Sequence, residues 1–131
     1  MLIKNVKIIG ENEITDGFVR TENGKITEVG KTAREAENEE VVDGNGKYLS
    51  PGFIDLHVHG GGGYSAMGTP EDIVKMATAH MNYGTTSILP TTLAAPIAQL
   101  KTALLNIKEA KLICKTSNIL GAHLEGPFLS P

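Results

Sequence analysis

Between Phe53 and Glu125 the sequence alternates strand-like and helix-patterned stretches with sharp punctuation, and this constrains the fold more than any other feature. Phe53-Ile54-Asp55-Leu56-His57-Val58-His59 reads as a strand ended by the glycines Gly60 to Gly63. A helix follows, with Thr69 suited to the N-cap, Pro70 to the first helical position, and Glu71 and Asp72 to the positive end of the helix dipole. Ile73, Val74, Ala77 and Met81 supply its apolar stripe, and Gly84 stops it. Thr85 to Thr92 reads as a second, β-branched strand. Pro96 to Lys111 reads as a second helix, with Ile97, Leu100, Leu104 and Ile107 on one face. Asn118 to Glu125 is a third strand, cut off by Gly126-Pro127. Strand, helix, strand, helix, strand means two consecutive βαβ crossovers and therefore a parallel sheet of α/β class.

The residues before this region obey a different grammar. Gly17 to Thr21 and Lys25 to Val29 flank Asn23-Gly24, the strongest short-range hairpin signal, because both turn residues tolerate positive φ. Val41-Val42 and Tyr48-Leu49 bracket Asp43-Gly44-Asn45-Gly46, a second hairpin by the same reasoning. Residues 31–40, rich in Glu, Lys and Ala, suit a helical turn or an exposed loop. The expected organisation is a small β module over 1–50 and a βαβαβ unit over 51–131. Three parallel strands with two helices leave an apolar face and an open edge. The 131 residues also fall well short of the roughly 250 of a complete (β/α)8 barrel. The chain is therefore expected to be the front part of a longer design.

Composition narrows the partners. A formal net charge of -3 argues against nucleic acid and against a polybasic membrane patch. Its single cysteine, Cys114, excludes an internal disulfide and suits a reducing compartment; its simplest role is buried packing. No apolar run approaches the ~20 residues of a membrane helix, and Met1-Leu2-Ile3-Lys4 opens no signal-peptide pattern, so a cytoplasmic location is expected.

His57-Val58-His59 is the first site of chemical interest. Side chains two apart on a strand share a face, about 6–7 Å apart at Cα, so two imidazoles there can converge on one metal. They fall at the carboxyl end of their strand, where parallel α/β folds place their sites. Glu125 ends the third strand after an almost wholly apolar run. A carboxylate in that position needs a partner, and a dication held by His57 and His59 would serve.

Ser50-Pro51-Gly52-Phe53-Ile54-Asp55-Leu56-His57-Val58-His59-Gly60 resembles the first barrel strand of the amidohydrolase superfamily. Three further stretches resemble its N-acetylglucosamine-6-phosphate deacetylase family: Gly60 to Gly63, Gly84 to Thr92, and Gly121-Ala122-His123-Leu124-Glu125-Gly126-Pro127-Phe128. The resemblance implies the first three strands and two helices of a (β/α)8 TIM barrel, preceded by an incomplete small β-sandwich module. It implies Glu125 as the carboxylate metal ligand, and His57 and His59 as the pair that some members keep for a second metal. The divalent ion would be zinc or iron, one or two per site. Water activated at the metal would attack the acetamide of N-acetylglucosamine 6-phosphate, giving acetate and glucosamine 6-phosphate. The remaining metal-site histidines and the proton-transferring aspartate would lie beyond Pro131, so no catalytic residue is expected in this segment. The resemblance also implies a homodimer for the full-length protein. Two rival readings are a catalytically inactive fragment with a structural or interaction role, and a dihydroorotase or hydantoinase relative, in which a carboxylated lysine on a later strand replaces the glutamate.

Other residues carry open alternatives. His123 shares a face with Glu125 and can support the site or serve as a hydrogen-bonded core histidine. Asp55 can orient a ligand ring or satisfy nearby backbone groups. Gly60, Gly61, Gly62 and Gly63 can let sugar or phosphate approach the backbone, or form a mobile loop. His80 is expected to be structural, and Thr91 and Thr92 to be ordinary strand composition.

Overall fold

The computed structural model describes residues 1–130, which separate after Pro51 into two compact units. In the first unit, β1 (Leu2–Ile9), β2 (Ile14–Glu22), β3 (Lys25–Gly30), β4 (Val41–Asp43) and β5 (Tyr48–Leu49) form one sheet. The β2–β3 hairpin turns at Asn23 (φ 50°) and Gly24 (φ 73°), the paired left-handed conformations that an Asn-Gly turn demands. Leu2, Val6, Phe18 and Val19 are buried, while Ile14, Ile26 and Val29 lie exposed. Residues 31–40 form a loop, which Arg20 anchors by donating from Nε to Glu39 (2.7 Å) and from Nη2 to the Arg34 carbonyl (2.7 Å). That guanidinium holds the Glu39 carboxyl below its ordinary pKa.

The second expected hairpin does not form. β4 and β5 never pair with each other; both run parallel to β1, with Leu2 opposite Val41 and Lys7 opposite Tyr48. Asn45 (φ 50°) and Gly46 (φ 75°) do turn sharply, but the amides of Gly44 and Gly46 donate to Lys4 and Asn5 carbonyls of β1. The excursion therefore returns to the same edge in the same direction. Positive φ at both residues specifies a local bend and leaves the partner strand open.

The second unit contains β6 (Phe53–Val58), β7 (Gly60–Gly61), β8 (Tyr64–Ser65), α1 (Pro70–Met81), β9 (Thr85–Pro90), α2 (Ile97–Ile113) and β10 (Asn118–Ile119). β10, β9 and β6 lie side by side, all parallel, as two βαβ crossovers require. α1 begins as its sequence predicts: Thr69 Oγ1 accepts from the Asp72 amide and Asp72 Oδ2 accepts from the Thr69 amide, a capping box with Pro70 in the first turn. Val58, Ile73, Met76, Ala77, Ile88, Ile107, Ala110 and Ile119 form the core, with Val74 and Cys114 packed at its margin. No helix among the described residues is long and apolar enough to cross a membrane.

Two expectations shift. α2 runs two residues beyond Lys111, and its buried stripe is Leu100, Ala103, Ile107 and Ala110, while Ile97 is 55% exposed and Leu104 only half-buried. Apolar residues ring this helix, so periodicity alone does not single out a face. The third strand is regular only over Asn118–Ile119. Ile119 pairs with Ile88 and His123 bridges Thr91, so four steps on one chain meet three on the other. The extra residue, in the Leu120-Gly121-Ala122 stretch, interrupts the ladder as a bulge does.

Candidate metal centre

A second irregularity lies in β6. Asp55 pairs with Ile88 and Val58 with Pro90, again one residue too many on the strand that carries the histidines. Bulges bend a strand and re-aim side chains: His57 lies within the β6 irregularity, His59 just past it, and Glu125 past the one that follows β10. Asp55 Oδ1 accepts from the His57 amide at 3.1 Å, so Asp55 supports His57 through the backbone; no bond from its carboxylate to an imidazole ring is formed. The Val58 amide donates instead to Thr91 Oγ1 at 2.9 Å.

At these irregularities three side chains converge. His57 Nε2 lies 2.8 Å from Glu125 Oε2, His59 Nε2 lies 3.2 Å from the same oxygen, and the two Nε2 atoms are 3.3 Å apart. Donor atoms sharing one ion at bonds of about 2.1 Å stand about 3–3.4 Å apart, so the spacing suits one cation. The hydrogen bonding fits the same conclusion. His59 Nδ1 is 3.2 Å from the Thr91 carbonyl, which can only accept, so Nδ1 donates there and Nε2 is the atom turned toward Glu125. A hydrogen bond donated by His57 Nε2 would satisfy one contact to Glu125. His59 Nε2 also faces that oxygen, and a cation shared by the three atoms would satisfy the contact. Two imidazoles and a carboxylate thus fit a divalent metal by spacing and by chemistry. The side chains of His57, His59 and Glu125 are 53%, 37% and 33% exposed, so the cluster is open to solvent.

His123 packs its ring edge-on against His57, centroids 4.5 Å apart, with Nδ1 3.5 Å from Thr91 Oγ1. It touches a candidate ligand without joining the cluster. Gly60 and Gly61 pair with Ser65 and Tyr64 in a short hairpin that turns at Gly62 (φ 61°) and Gly63 (φ 85°). His80 of α1 fastens this hairpin by donating from Nε2 to the Gly60 carbonyl at 3.1 Å, the structural role expected of it. Its ring lies so close that a Cβ on Gly61 would come within 2.3 Å of Nε2, so a side chain there would push the His80 ring aside.

Thr91 and Thr92, read from the sequence as ordinary residues ending the second strand, are fully buried just past the end of β9, which stops at Pro90. Thr92 Oγ1 accepts from the Glu125 amide (3.0 Å) and donates to the Glu125 carbonyl (3.3 Å). Threonine is so frequent in strands that only the cross-strand register distinguishes these two.

No protein-family model matches the chain. It is 36% identical to N-acetylglucosamine-6-phosphate deacetylase from Bacillus subtilis over all of its own length and 35% of that protein. It is 35% identical to an N-acetylgalactosamine-6-phosphate deacetylase from Escherichia coli O157:H7, over 70% of this chain and 25% of that one. Among solved structures, the N-acetylglucosamine-6-phosphate deacetylase of Thermotoga maritima superposes with a TM-score of 0.78 at 32% identity, covering 99% of this chain and 33% of that one. The chain spans about a third of the length of these relatives. Along its whole length, in sequence and in fold, it matches the N-terminal third of the N-acetylglucosamine-6-phosphate deacetylases, which are amide hydrolases of amidohydrolase type.

Proposed function

We propose that this chain carries the metal-holding corner of an enzyme that removes the acetyl group from N-acetylglucosamine 6-phosphate. The observation that supports this best is the convergence of His57, His59 and Glu125 on one ion-sized gap. In this reading β6, β9 and β10 with α1 and α2 are the opening of a (β/α)8 barrel, and the β module over 1–50 is part of a small β-sandwich. Exposed Ile54 and Leu56 on β6, and Ile14, Ile26 and Val29 in the module, are the apolar surfaces that further strands and helices would cover.

Glu125 and His59 would hold a zinc or iron ion, with His57 completing the set or serving a second ion. A divalent ion there supplies Lewis-acid polarisation of a carbonyl and acidifies water. The protein's own contribution is to fix the His59 tautomer through Thr91, to hold the Glu125 backbone through Thr92, and to keep a glycine-lined approach beside the centre. None of the residues described here is assigned the proton transfer. The 131-residue chain alone is therefore expected to bind metal and to show no turnover. A glutamate in the gap supports deacetylation over the cyclic-amide reading, in which a carboxylated lysine takes that place. The proposed location is the cytoplasm, as the sequence reading expects, and the complete enzyme is assigned to a homodimer from the resemblance.

The galactosamine relative favours one second reading, the epimeric substrate. A chimera tests the whole proposal, with this chain replacing the matching N-terminal third of the Bacillus subtilis enzyme. Acetate release from N-acetylglucosamine 6-phosphate is expected, and Glu125→Gln in the chimera should abolish it. A folded chimera without turnover would count against the reading, and preference for N-acetylgalactosamine 6-phosphate would select the epimer.

A further inference from the structure

Thr91 and Thr92 are neighbours in sequence, yet they bind in opposite directions across the sheet. Toward β6, the Thr91 amide donates to the Val58 carbonyl (2.8 Å), and the Val58 amide donates back to Thr91 Oγ1 (2.9 Å). The Thr91 carbonyl takes the His59 Nδ1 proton at 3.2 Å. Away from β6, Thr92 Oγ1 grips both backbone polar groups of Glu125, at 3.0 and 3.3 Å. Both threonines are 0% exposed, and their hydroxyls bond backbone groups of the stretches on either side.

The two bulges explain the need for them. An extra residue in β6 and another after β10 remove regular pairing on the stretches that carry the ligands. Backbone bonds from the Thr91 amide to the Val58 carbonyl, the His123 amide to the Pro90 carbonyl and the Thr92 amide to the His123 carbonyl keep both stretches beside β9, and the two hydroxyls add the bonds at the Val58 amide and at Glu125. We propose that Thr91 and Thr92 are the positioning residues of the metal centre. Thr91 sets the height of His57 and His59, and Thr92 sets that of Glu125, so that the three donors stand at ion spacing before any ion arrives. This inference rests on the metal-site reading of His57, His59 and Glu125 and concerns what holds them.

The test is zinc affinity of the 131-residue chain, by competition with a chromophoric chelator, alongside thermal unfolding in EDTA. Thr92→Val keeps the shape and removes both hydroxyl bonds; Thr92→Ser keeps the bonds. Thr92→Val should weaken Zn²⁺ binding about 10–100-fold, the usual effect of losing support behind a ligand, while Thr92→Ser stays within about threefold of wild type. A Thr92→Val chain that loses stability in EDTA but binds Zn²⁺ like wild type overturns the proposal and leaves the metal site standing. Failure of the wild-type chain to bind Zn²⁺ sinks the metal site and this inference with it. Should Thr92→Val not fold, hydrogen exchange at the Glu125 amide of the wild type decides. Equal protection with and without Zn²⁺ supports positioning ahead of the ion, and protection that appears only with Zn²⁺ overturns it.

Discussion

Replacing Glu125 with glutamine changes one charge at the centre of the site and nearly nothing in shape. Its Oε2 stands 2.8 Å and 3.2 Å from the two imidazole nitrogens, so a shared ion would lie about 2.1 Å from the oxygen. Because the carboxylate is 33% exposed, the water dielectric is the prudent choice. It gives about 4 kcal/mol for a unit negative charge against a dication at that distance. The glutamine carbonyl returns part of this as a neutral dipole, leaving a net loss of about 2–3 kcal/mol, or roughly 30- to 150-fold in affinity. Competition titration with a chelator of known zinc affinity reads this directly. Thermal unfolding in EDTA should change little, because the glutamine carbonyl can still accept from His57 Nε2 when no ion is bound. An affinity for Glu125→Gln within about threefold of wild type would refute the electrostatic reasoning and remove Glu125 from the ligand set.

Other perturbations test the scaffold. Thr69→Ala removes the side-chain half of the α1 capping box and should cost about 1 kcal/mol in urea unfolding; an unchanged midpoint would show that the cap contributes nothing. Gly61→Ala drives a Cβ into the His80 ring, and a loss of about 1–3 kcal/mol is expected, relieved when His80→Ala is added; equal losses in the single and double variants would contradict the clash. Asp43 accepts from the Asn45 amide and from the Asn5 side chain, which hold its carboxyl below the ordinary value. A depressed carboxyl stabilises the fold above the unfolded-state pKa of about 3.9 and loses that contribution as the pH falls through the lower native value. Asp43→Asn should therefore flatten the stability profile below about pH 4, and an unaltered acid limb would contradict the assignment.

What the sequence showed and what it hid divide along a physical line. The capping box at Thr69 and the Asn23-Gly24 turn were legible because their determinants lie within a few residues of each other. The βαβαβ order was legible because β-branched runs and punctuated helices alternate. Asn45-Gly46 was misleading for the converse reason: two left-handed residues specify a bend, while the return to β1 depends on a strand some forty residues earlier. The bulges after β10 and within β6 exist only relative to β9, so no reading of one strand could show them. Thr91 and Thr92 were hidden by the same cause, since their partners, Val58 and Glu125, each lie 33 residues away. His57, His59 and Glu125 stood out because their residue types are costly at strand ends without a partner.

X-ray absorption at the zinc edge of the Zn²⁺-loaded chain, paired with the same measurement on His59→Ala, bears most directly on the central claim. The expected signal is one ion with two imidazole nitrogens and a carboxylate oxygen at about 2.0–2.2 Å, and one nitrogen fewer in the variant. An ion whose shell contains no imidazole, or a shell unchanged by removing His59, would show that the three side chains meet for some reason other than holding a metal.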